Sequence, residues 1–346
     1  MADIERLYVR WRNKYLRSYS GGGYYIFYNA DCELDKCIMT CSEAHGYGML
    51  ISVLKRNQAD FDGLLYYFEQ FKNSKGLMQW QQKTGPHGRF VPSDEGGENC
   101  ATDGDIDIAA SLFLAARWFG NSHIDYRGKA IALCRAIHDH CINHQTWVPK
   151  IGDWTDPGTL HDNLTRCSDF ILNHFNIFYH EDHERQQSWG RVMETIIRIV
   201  NEQLALHPTG LLPDFLEFKH GRFQAPQGEV LESKHDGCYN WNSCRVPWRL
   251  ASYFLQTKDP RILPSLQAMC RFFAQQREVK AGYRLDGHAL VDYTDMSFLA
   301  PVSFLFWVMG DPSLPRIQQQ MNDLDEEKYF GQSIALINML QAVSPY

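Results

Sequence analysis

Apolar residues recur along this 346-residue chain at intervals of three and four, a spacing that places them on one face of an α-helix. The alternation of apolar and polar residues that is typical of strands is scarce. With boundaries good to about two to four residues, the pattern predicts twelve helices, over residues 3–18, 43–56, 59–73, 105–119, 126–143, 168–179, 183–206, 243–256, 260–276, 295–308, 314–323 and 327–343. We therefore predict an all-α fold.

The loops between the predicted helices alternate in length. Long loops lead into the even-numbered helices from the second to the tenth, over residues 19–42, 74–104, 144–167, 207–242 and 277–294. The loops that lead into the odd-numbered helices have only a few residues, and the short loop before the twelfth helix breaks the pattern. Such alternation is typical of a ring of helical hairpins with all long loops on one rim. We predict a single-domain (α/α)6 barrel of six helical hairpins over residues 1–346, with a binding groove across the long-loop rim.

Composition limits the classes of partner. Apolar residues make up 44% and charged residues 22% of the chain, the balance of a water-soluble globular protein. The net charge of −7, without a basic face, argues against nucleic acid and anionic membranes as partners. No apolar run is long enough to span a membrane. The first residues, Met1 to Tyr8, lack the leader of a signal peptide, so the chain either stays inside the cell or begins after a removed leader. We expect a monomer.

The stretch from Ala101 to Phe119 is the most informative segment. Asp103, Asp105 and Asp107 lie where a strongly apolar helical pattern begins. The helix dipole and the free N–H groups of a first turn favour carboxylates at such a position. One aspartate would be explained as a cap, whereas three predict carboxylates that are held rigidly in a cleft.

A second segment, Cys41 to Met49, has the same layout. Its pattern predicts Ser42 as the N-cap and places Glu43 in the first turn of the following helix. Two helix starts that each present a carboxylate are typical of the acid pair of an inverting glycosidase. The long loops also carry tryptophans that could stack on sugar rings or pack within the loops: Trp80, Trp147, Trp154 and Trp241.

A metal site is not expected. Cys134, His138 and Cys141 share one face of a predicted helix, but no fourth ligand lies at the spacing of a zinc site. Buried cysteines in an apolar helix are the better interpretation. The pattern therefore predicts neither a metal nor another cofactor.

The chain resembles glycoside hydrolase family 8. The signature of that family begins A-[ST]-D-[AG]-D, and Ala101 to Phe119 fits it, although Phe113 stands where the family usually has a smaller residue. Four other segments resemble conserved blocks of the family: residues 42–49 around the general acid, 165–169, 242–249 around the general base, and 329–333 near the C-terminus. The resemblance implies an (α/α)6 barrel, endo-acting hydrolysis of β-1,4-linked polysaccharide, and inversion at the anomeric carbon. The family is usually secreted.

The resemblance implies roles for several residues. Glu43 corresponds to the general acid, and Asp103 to the carboxylate that contacts the sugar at the point of cleavage. Asp105 and Asp107 are interpreted as structural. Substrate contacts, or the orientation of carboxylates in the case of the arginines, are expected of Tyr47, Trp80, Asp169, Tyr239, Trp241, Asn242, Arg245 and Arg249, whereas His45 is interpreted as a satisfied polar residue.

The general base departs from the familiar pattern. Asn242 stands where most members carry an aspartate, and an amide cannot accept a proton near neutral pH. Members of a second subgroup also have Asn here and take the base from a glutamate in the preceding long loop. Glu232 lies ten residues before Asn242, which is similar to the spacing of the base in that subgroup. The resemblance therefore implies Glu232 as the base, with Glu229 and Asp236 as alternates.

The substrate stays open between chitosan, β-glucan and xylan. We favour chitosan, because the Asn242 subgroup contains chitosanases and because an acidic groove would attract an ammonium-bearing polymer. One alternative is a carbohydrate-binding protein without activity, supported only by Asn242. Another is a different enzyme on the same helical ring, such as a terpene cyclase or a lyase. The spacing of Asp103, Asp105 and Asp107 argues against a terpene cyclase, since residues two apart do not share a helix face.

Overall fold

The computed structural model describes residues 2–30, 38–120, 123–324 and 328–346. Within these ranges, helices α1 to α12 follow in chain order as Ala2–Tyr15, Ser42–Leu54, Gln58–Gln70, Thr102–Phe119, Tyr126–Cys141, Leu172–Glu181, Gln186–Leu206, Val246–Thr257, Leu263–Gln275, Met296–Met309, Leu314–Asp323 and Tyr329–Val343. All twelve predicted helices have a counterpart among them. Residue 327, with which the last predicted helix begins, lies outside the described residues.

The even-numbered helices form the inner ring of the molecule. Each of them packs against the next, and α12 packs against α2, so that the ring closes. The odd-numbered helices lie outside this ring, as in the hairpins α2–α3, α4–α5 and α6–α7. The predicted (α/α)6 barrel is therefore confirmed, with one large apolar core between and within the two layers.

Short strands organise the long loops. Among the described residues they are β1 to β8, over Leu16–Ser18, Tyr24–Ile26, Ile38–Cys41, Gln81–Thr84, Phe90–Pro92, Leu164–Arg166, Phe215–Lys219 and Arg222–Gln224. They form three antiparallel sheets, β1–β2, β3–β4–β5 and β6–β7–β8. The last sheet ties the loop before α6 to the loop before α8, with Arg166 opposite Phe215.

Several helix boundaries differ from the prediction by three or four residues, and the cause of the difference is visible at three of them. Helix α1 ends at Tyr15, because the next three residues pair with β2. Helix α4 begins at Thr102 rather than at residue 105. The Oγ1 atom of Thr102 donates to the carbonyl of Lys150 at this earlier start. The chain before α6 forms a 3-10 turn over Cys167–Asp169, so this helix begins only at Leu172.

The prediction of Ser42 as an N-cap is wrong. Cys41, the last residue of β3, is the N-cap of α2 and makes no capping bond with its side chain. Ser42 is the first helical residue, and its N–H donates to the carbonyl of Trp80 at 2.8 Å. The strand thus runs directly into the helix, and a backbone carbonyl of the neighbouring loop replaces the side-chain cap.

The cysteine–histidine face of α5 has ordinary partners. Cys134 is fully buried, and the Sγ atom of Cys141 lies 3.3 Å from that of Cys100. His138 contacts Asp139 and Ser188. Within the described ranges no group of three His, Cys, Asp or Glu residues could hold a metal ion. Among the described helices, none is both long and apolar enough to cross a membrane.

Candidate active site

The beginnings of the inner helices meet at one rim of the barrel. Glu43 lies in the first turn of α2, Asp103 in the first turn of α4, and Tyr329 at the start of α12. Arg245 ends the 3-10 turn that leads into α8. Hydrogen bonds join these four side chains, so residues far apart in sequence form one polar cluster at the long-loop rim.

Two glycines bring α2 and α4 close together. A Cβ atom on Gly104 would lie 2.7 Å from backbone and side-chain atoms of Ser42, and one on Gly46 would lie 2.9 Å from the Cβ atom of Asp107. Real side chains do not tolerate such distances, so the contact depends on glycine at both positions. This close approach places Glu43 and Asp103 beside each other.

Arg245 is the centre of the cluster. Its guanidinium is almost fully buried, and Nη1 donates to Asp103 Oδ2 at 2.8 Å and to Glu43 Oε2 at 3.1 Å. Nη2 donates to Ser168 Oγ at 2.9 Å and to Asn242 Oδ1 at 3.0 Å. One cation therefore connects residues of α2, of α4 and of the turns before α6 and α8, and it shares its charge between two carboxylates.

Glu43 has the properties of a proton donor. Its side chain is 23% exposed, so it is reached by solvent at the long-loop rim, while Tyr329 donates to Oε1 at 3.3 Å. Burial raises the pKa of Glu43 to about 7, with Arg245 acting in the opposite direction and Asp103 adding to the rise. A carboxyl group with this pKa holds a proton near neutral pH in a sizeable fraction of molecules.

Asn242 bridges the cluster to the preceding loop. Its Oδ1 accepts from Arg245 and its Nδ2 donates to Glu232 Oε2 at 2.7 Å. The orientation of this amide is fixed by its partners, since a guanidinium can only donate and a carboxylate can only accept. The residue that replaces the familiar aspartate thus links the arginine to the loop glutamate.

Glu232 is held on both carboxylate oxygens. Asn242 bonds Oε2, and Arg166 Nη2 donates to Oε1 at 2.8 Å. The side chain is 43% exposed, so the carboxylate also meets solvent. The chain of contacts from Glu43 through Arg245 and Asn242 to Glu232 keeps the two glutamates apart at the same rim of the barrel.

The two alternates for the base differ sharply. Asp236 is fully buried, and its carboxylate accepts four backbone N–H groups, those of Val230, Leu231, Glu232 and Ser233. It therefore folds the loop and presents no free face to a substrate, so the structure contradicts its candidacy as base. Glu229 is exposed on the same loop.

A second buried carboxylate shapes the entry to α8, and no sequence pattern predicted it. Asp214 Oδ1 accepts from the N–H groups of Asn240, Asn242 and Ser243 and from Ser243 Oγ, at 2.7–3.1 Å. These bonds fix the turn that carries Asn242 and Arg245. Asp214 lies in an apolar stretch of the sequence. Its role becomes visible only in the structure, where it accepts hydrogen bonds from the N–H groups of a turn that lies further along the chain.

Asp169 lies beside the cluster without taking part in its shared hydrogen bonds. Its carboxylate is fully buried, accepts from Ser168 Oγ at 3.1 Å, and lies 3.9 Å from Arg166 Nη1. Burial, with the negative charge of Asp103, raises its pKa to about 7. Because Asp169 is fully buried, it could contact a substrate only if neighbouring residues moved.

The predicted groove tyrosines are core residues. Tyr47 is fully buried, with its hydroxyl 3.5 Å from Arg245 Nη1. Tyr239 is also fully buried and donates to the carbonyl of Cys244 at 3.4 Å. Neither ring has a face open to a substrate, because Tyr47 packs against Trp248 and Tyr239 packs against Phe273 and Phe298. The prediction that both line the groove is therefore wrong.

The tryptophans of the long loops fall into two groups. Trp241 and Trp154 are exposed by 41% and 36%, and each has its edge or face against another ring, Phe298 and His161 respectively. Trp80 is half-buried and donates to the carbonyl of Glu95. Trp147 stacks on His144 and Arg191, so packing explains it.

Below the cluster lies a second ionic group. Arg249 donates from both terminal nitrogens to Asp107, at 3.0 and 2.7 Å, and His174 Nδ1 lies 3.0 Å from the same carboxylate. Asp105 is fully buried and accepts from the N–H of Met78. Both aspartates thus hold the fold, as the sequence predicted for them. His45 is likewise buried, with Nε2 2.9 Å from the carbonyl of Leu64.

Comparison with known proteins agrees with this geometry. Residues 11–343 match the family model described as "Glycosyl hydrolases family 8". A beta-glucanase of Niallia circulans is 33% identical over 98% of this chain and 83% of the relative, and Endoglucanase A of Acetivibrio thermocellus is 28% identical over 95% and 66%. The apo structure of a beta-1,3-1,4-glucanase from Paenibacillus sp. X4 superposes with a TM-score of 0.87 at 31% identity, covering 99% and 91% of the two chains. The chain therefore belongs to glycoside hydrolase family 8 and is a glycoside hydrolase.

Proposed function

We propose that this protein is an endo-acting β-glucanase that inverts the anomeric carbon, with Glu43 as the general acid and Glu232 as the general base. The observation that carries the proposal is the chain of contacts at the long-loop rim. It joins a half-buried glutamate of raised pKa to a solvent-facing glutamate that Arg166 and Asn242 hold. The catalytic unit is one domain over residues 1–346, and it acts as a monomer.

The two glutamates are suited to opposite halves of the reaction. Protonated Glu43 gives its proton to the glycosidic oxygen as the bond to the anomeric carbon breaks. A water molecule between Glu232 and the sugar attacks the opposite face while Glu232 takes its proton. Inverting enzymes keep these carboxyl groups about 6.5–9.5 Å apart to accommodate that water. Here an arginine and an asparagine stand between Glu43 and Glu232, which supports such a separation.

Asp103 completes the proposed site. Its carboxylate is tied to Arg245 and to the N–H of Gly104, and 7% of the side chain is exposed beside Glu43. In this position Asp103 would bind a hydroxyl of the sugar at the cleavage point. The groove walls on either side would use Trp80 and Trp241 as stacking surfaces for further sugar units.

β-Glucan is the favoured polymer. Two relatives that are more than 30% identical to this chain are named as β-glucanases, one of them for β-1,3-1,4 linkages. Chitosan is a second candidate, because the chain carries a net charge of −7 and Glu232 presents a solvent-exposed carboxylate at the site. Negative charge of this kind would favour a polymer that carries ammonium groups.

Hydrolysis of a polymer panel tests the substrate. Barley β-glucan, lichenan, carboxymethyl-cellulose, xylan and chitosan would be compared at matched low salt by release of reducing ends. We expect the highest kcat/KM on the mixed-linkage glucans. A rate on chitosan that exceeds them, and that falls steeply with added salt, would favour chitosan instead.

A pair of loop variants and the product anomer test the mechanism. Glu232→Gln should lose most of its turnover, whereas Glu229→Gln, on the same loop, should keep it. Proton NMR of the first products should display the α-anomer. The opposite order of the two variants would move the base to Glu229, and a β-product would exclude inversion.

A further inference from the structure

We propose that Arg166 is a positioning residue for the general base: its buried guanidinium fixes the direction of the Glu232 carboxylate, an inference that rests on the proposed role of Glu232. Only 11% of the Arg166 side chain is exposed, and its Nη2 donates to Glu232, so in this proposal it acts through the loop glutamate.

The backbone of Arg166 is rigid. It is the last residue of β6 and pairs with Phe215 in β7. Its guanidinium lies over the Phe215 ring, 5.2 Å from the centroid, and only 11% of the side chain is exposed. Packing on one side and Asp169 at 3.9 Å on the other therefore define where the guanidinium lies.

Glu232 needs such support, because it belongs to a loop rather than to the barrel wall. A solvent-facing glutamate has three rotatable bonds and would populate several orientations. In this structure Arg166 bonds Oε1 and Asn242 bonds Oε2, at 2.8 and 2.7 Å. Each carboxylate oxygen accepts one of these bonds and retains a free lone pair for a water molecule.

The two supports of Glu232 differ in origin. Asn242 belongs to the turn before α8, whereas Arg166 belongs to the sheet of the loop before α6. The backbone of the glutamate is fixed independently, by the carboxylate of Asp236. Loss of Arg166 should therefore leave the loop folded but allow the Glu232 side chain to turn away from the attacking water.

The test compares Arg166→Met with Arg166→Lys. Misplacement of a reacting group by about 1 Å can cost on the order of 10²-fold in rate. We expect Arg166→Met to lower kcat by about ten- to a hundredfold with KM changed less than about threefold. Arg166→Lys, which keeps a charge and a donor, should recover part of that loss.

Arg185→Met provides the matched control. Arg185 is also buried and pairs with Asp182 through two hydrogen bonds, but it lies between α6 and α7, after the end of an inner helix and away from the groove. Its variant should lose thermal stability while the folded enzyme keeps its kcat. If Arg166→Met does not fold, the kcat of Arg166→Lys relative to wild type decides the matter alone.

A double-variant cycle separates a positioning role from an independent one. If Arg166 works through Glu232, adding Arg166→Met to Glu232→Gln should lower kcat little further. Fully multiplicative losses would overturn the proposal, as would an unchanged kcat in Arg166→Met beside an inactive Glu232→Gln. An active Glu232→Gln would instead overturn the assignment of the base, and with it the role of Arg166.

Discussion

Two aspartate–arginine pairs join α4 to the beginning of α8, and they lie about one helical turn apart. Asp103 pairs with Arg245 at the rim, and Asp107 pairs with Arg249 below it. Each aspartate and each arginine is four residues from its counterpart. The two pairs therefore consist of the same residue types, connect the same parts of the barrel and are almost equally buried, but their surroundings differ.

In the lower pair, both carboxylate oxygens of Asp107 accept hydrogen bonds. Arg249 gives both terminal nitrogens to Asp107, and His174 lies against the same carboxylate. Although burial opposes ionisation, Arg249 and His174 hold the pKa of Asp107 at about 2. Because this folded-state pKa lies below the usual one, the pair stabilises the fold above pH 4 and loses this contribution as pH falls through about 2.

The upper pair is shared. Arg245 divides its charge between Asp103 and Glu43. The effect of burial on Glu43 is larger than the stabilisation of its carboxylate by Arg245, so the pKa of Glu43 rises to about 7. The comparison teaches that a carboxylate with its own arginine stays ionised, whereas two buried carboxylates that share one arginine leave one of them with a raised pKa.

The largest expected effect is on turnover by Glu43→Gln. Loss of the proton donor should lower kcat by about 10²–10⁴-fold. Because the pKa of Glu43 is raised, its ionised form destabilises the fold as pH rises through about 7. The variant should therefore be at least as stable as wild type at pH 8. Reducing-end assays and thermal unfolding would measure both, and a folded variant with more than about a tenth of the activity would exclude Glu43 as the acid.

Arg249→Met should produce the opposite pattern. It leaves the Asp107 carboxylate buried without its main partner, a change that costs about 3–5 kcal/mol in comparable pairs. The midpoint of urea unfolding should fall strongly at pH 7, while kcat of the folded enzyme should change less than about threefold. A large loss of kcat without loss of stability would mean that the lower pair also serves catalysis.

Much of the fold was predictable, because the barrel repeats the same spacing of apolar residues in every helix. The interval of three and four marked every helix, and loop lengths distinguished inner helices from outer ones, except at α12, an inner helix that follows a short loop. The errors lie where tertiary contacts decide a boundary. Serine is a common N-cap residue, but Ser42 is already the first residue of the helix, and the carbonyl of Trp80 accepts its N–H. The 3-10 turn before α6 likewise follows from the neighbouring sheet rather than from its own residues.

The site was less predictable. Family motifs pointed to Glu43, Asp103 and Asn242, all of which lie in the cluster. Arg166 lies in the family block at residues 165–169, but that block does not reveal its partner, Glu232, which is far along the chain. Asp214 had no local signal at all, since the turn that it holds lies before α8. The prediction for Tyr239 failed for a related reason. The sequence shows that a tyrosine lies next to a motif, but not whether its side chain points to solvent or into the core.

Asn242→Asp should have an intermediate effect. The amide Nδ2 that now donates to Glu232 would become a carboxylate oxygen at about the same place, and two adjacent carboxylates repel unless one binds a proton. We expect kcat to fall about tenfold or more, because Glu232 turns away or is neutralised. Steady-state kinetics would measure it, with Asn201→Asp on the outer helix α7 as a control that keeps kcat. Unchanged turnover would indicate that the Asn242–Glu232 contact is dispensable.

The smallest expected effect concerns the pH profile of Tyr329→Phe. A general acid works in its protonated form, so activity of the wild type should decline as pH rises through about 7. The Tyr329 hydroxyl donates to Glu43 Oε1 and thereby stabilises the carboxylate, which lowers the pKa. Without that hydroxyl the alkaline limb of kcat/KM should move to higher pH by less than about one unit. The limb should not move in Tyr126→Phe, which removes a hydroxyl bonded to Asp62 on the outer layer. A shift to lower pH in Tyr329→Phe would contradict the assignment of Glu43 as the group that must stay protonated.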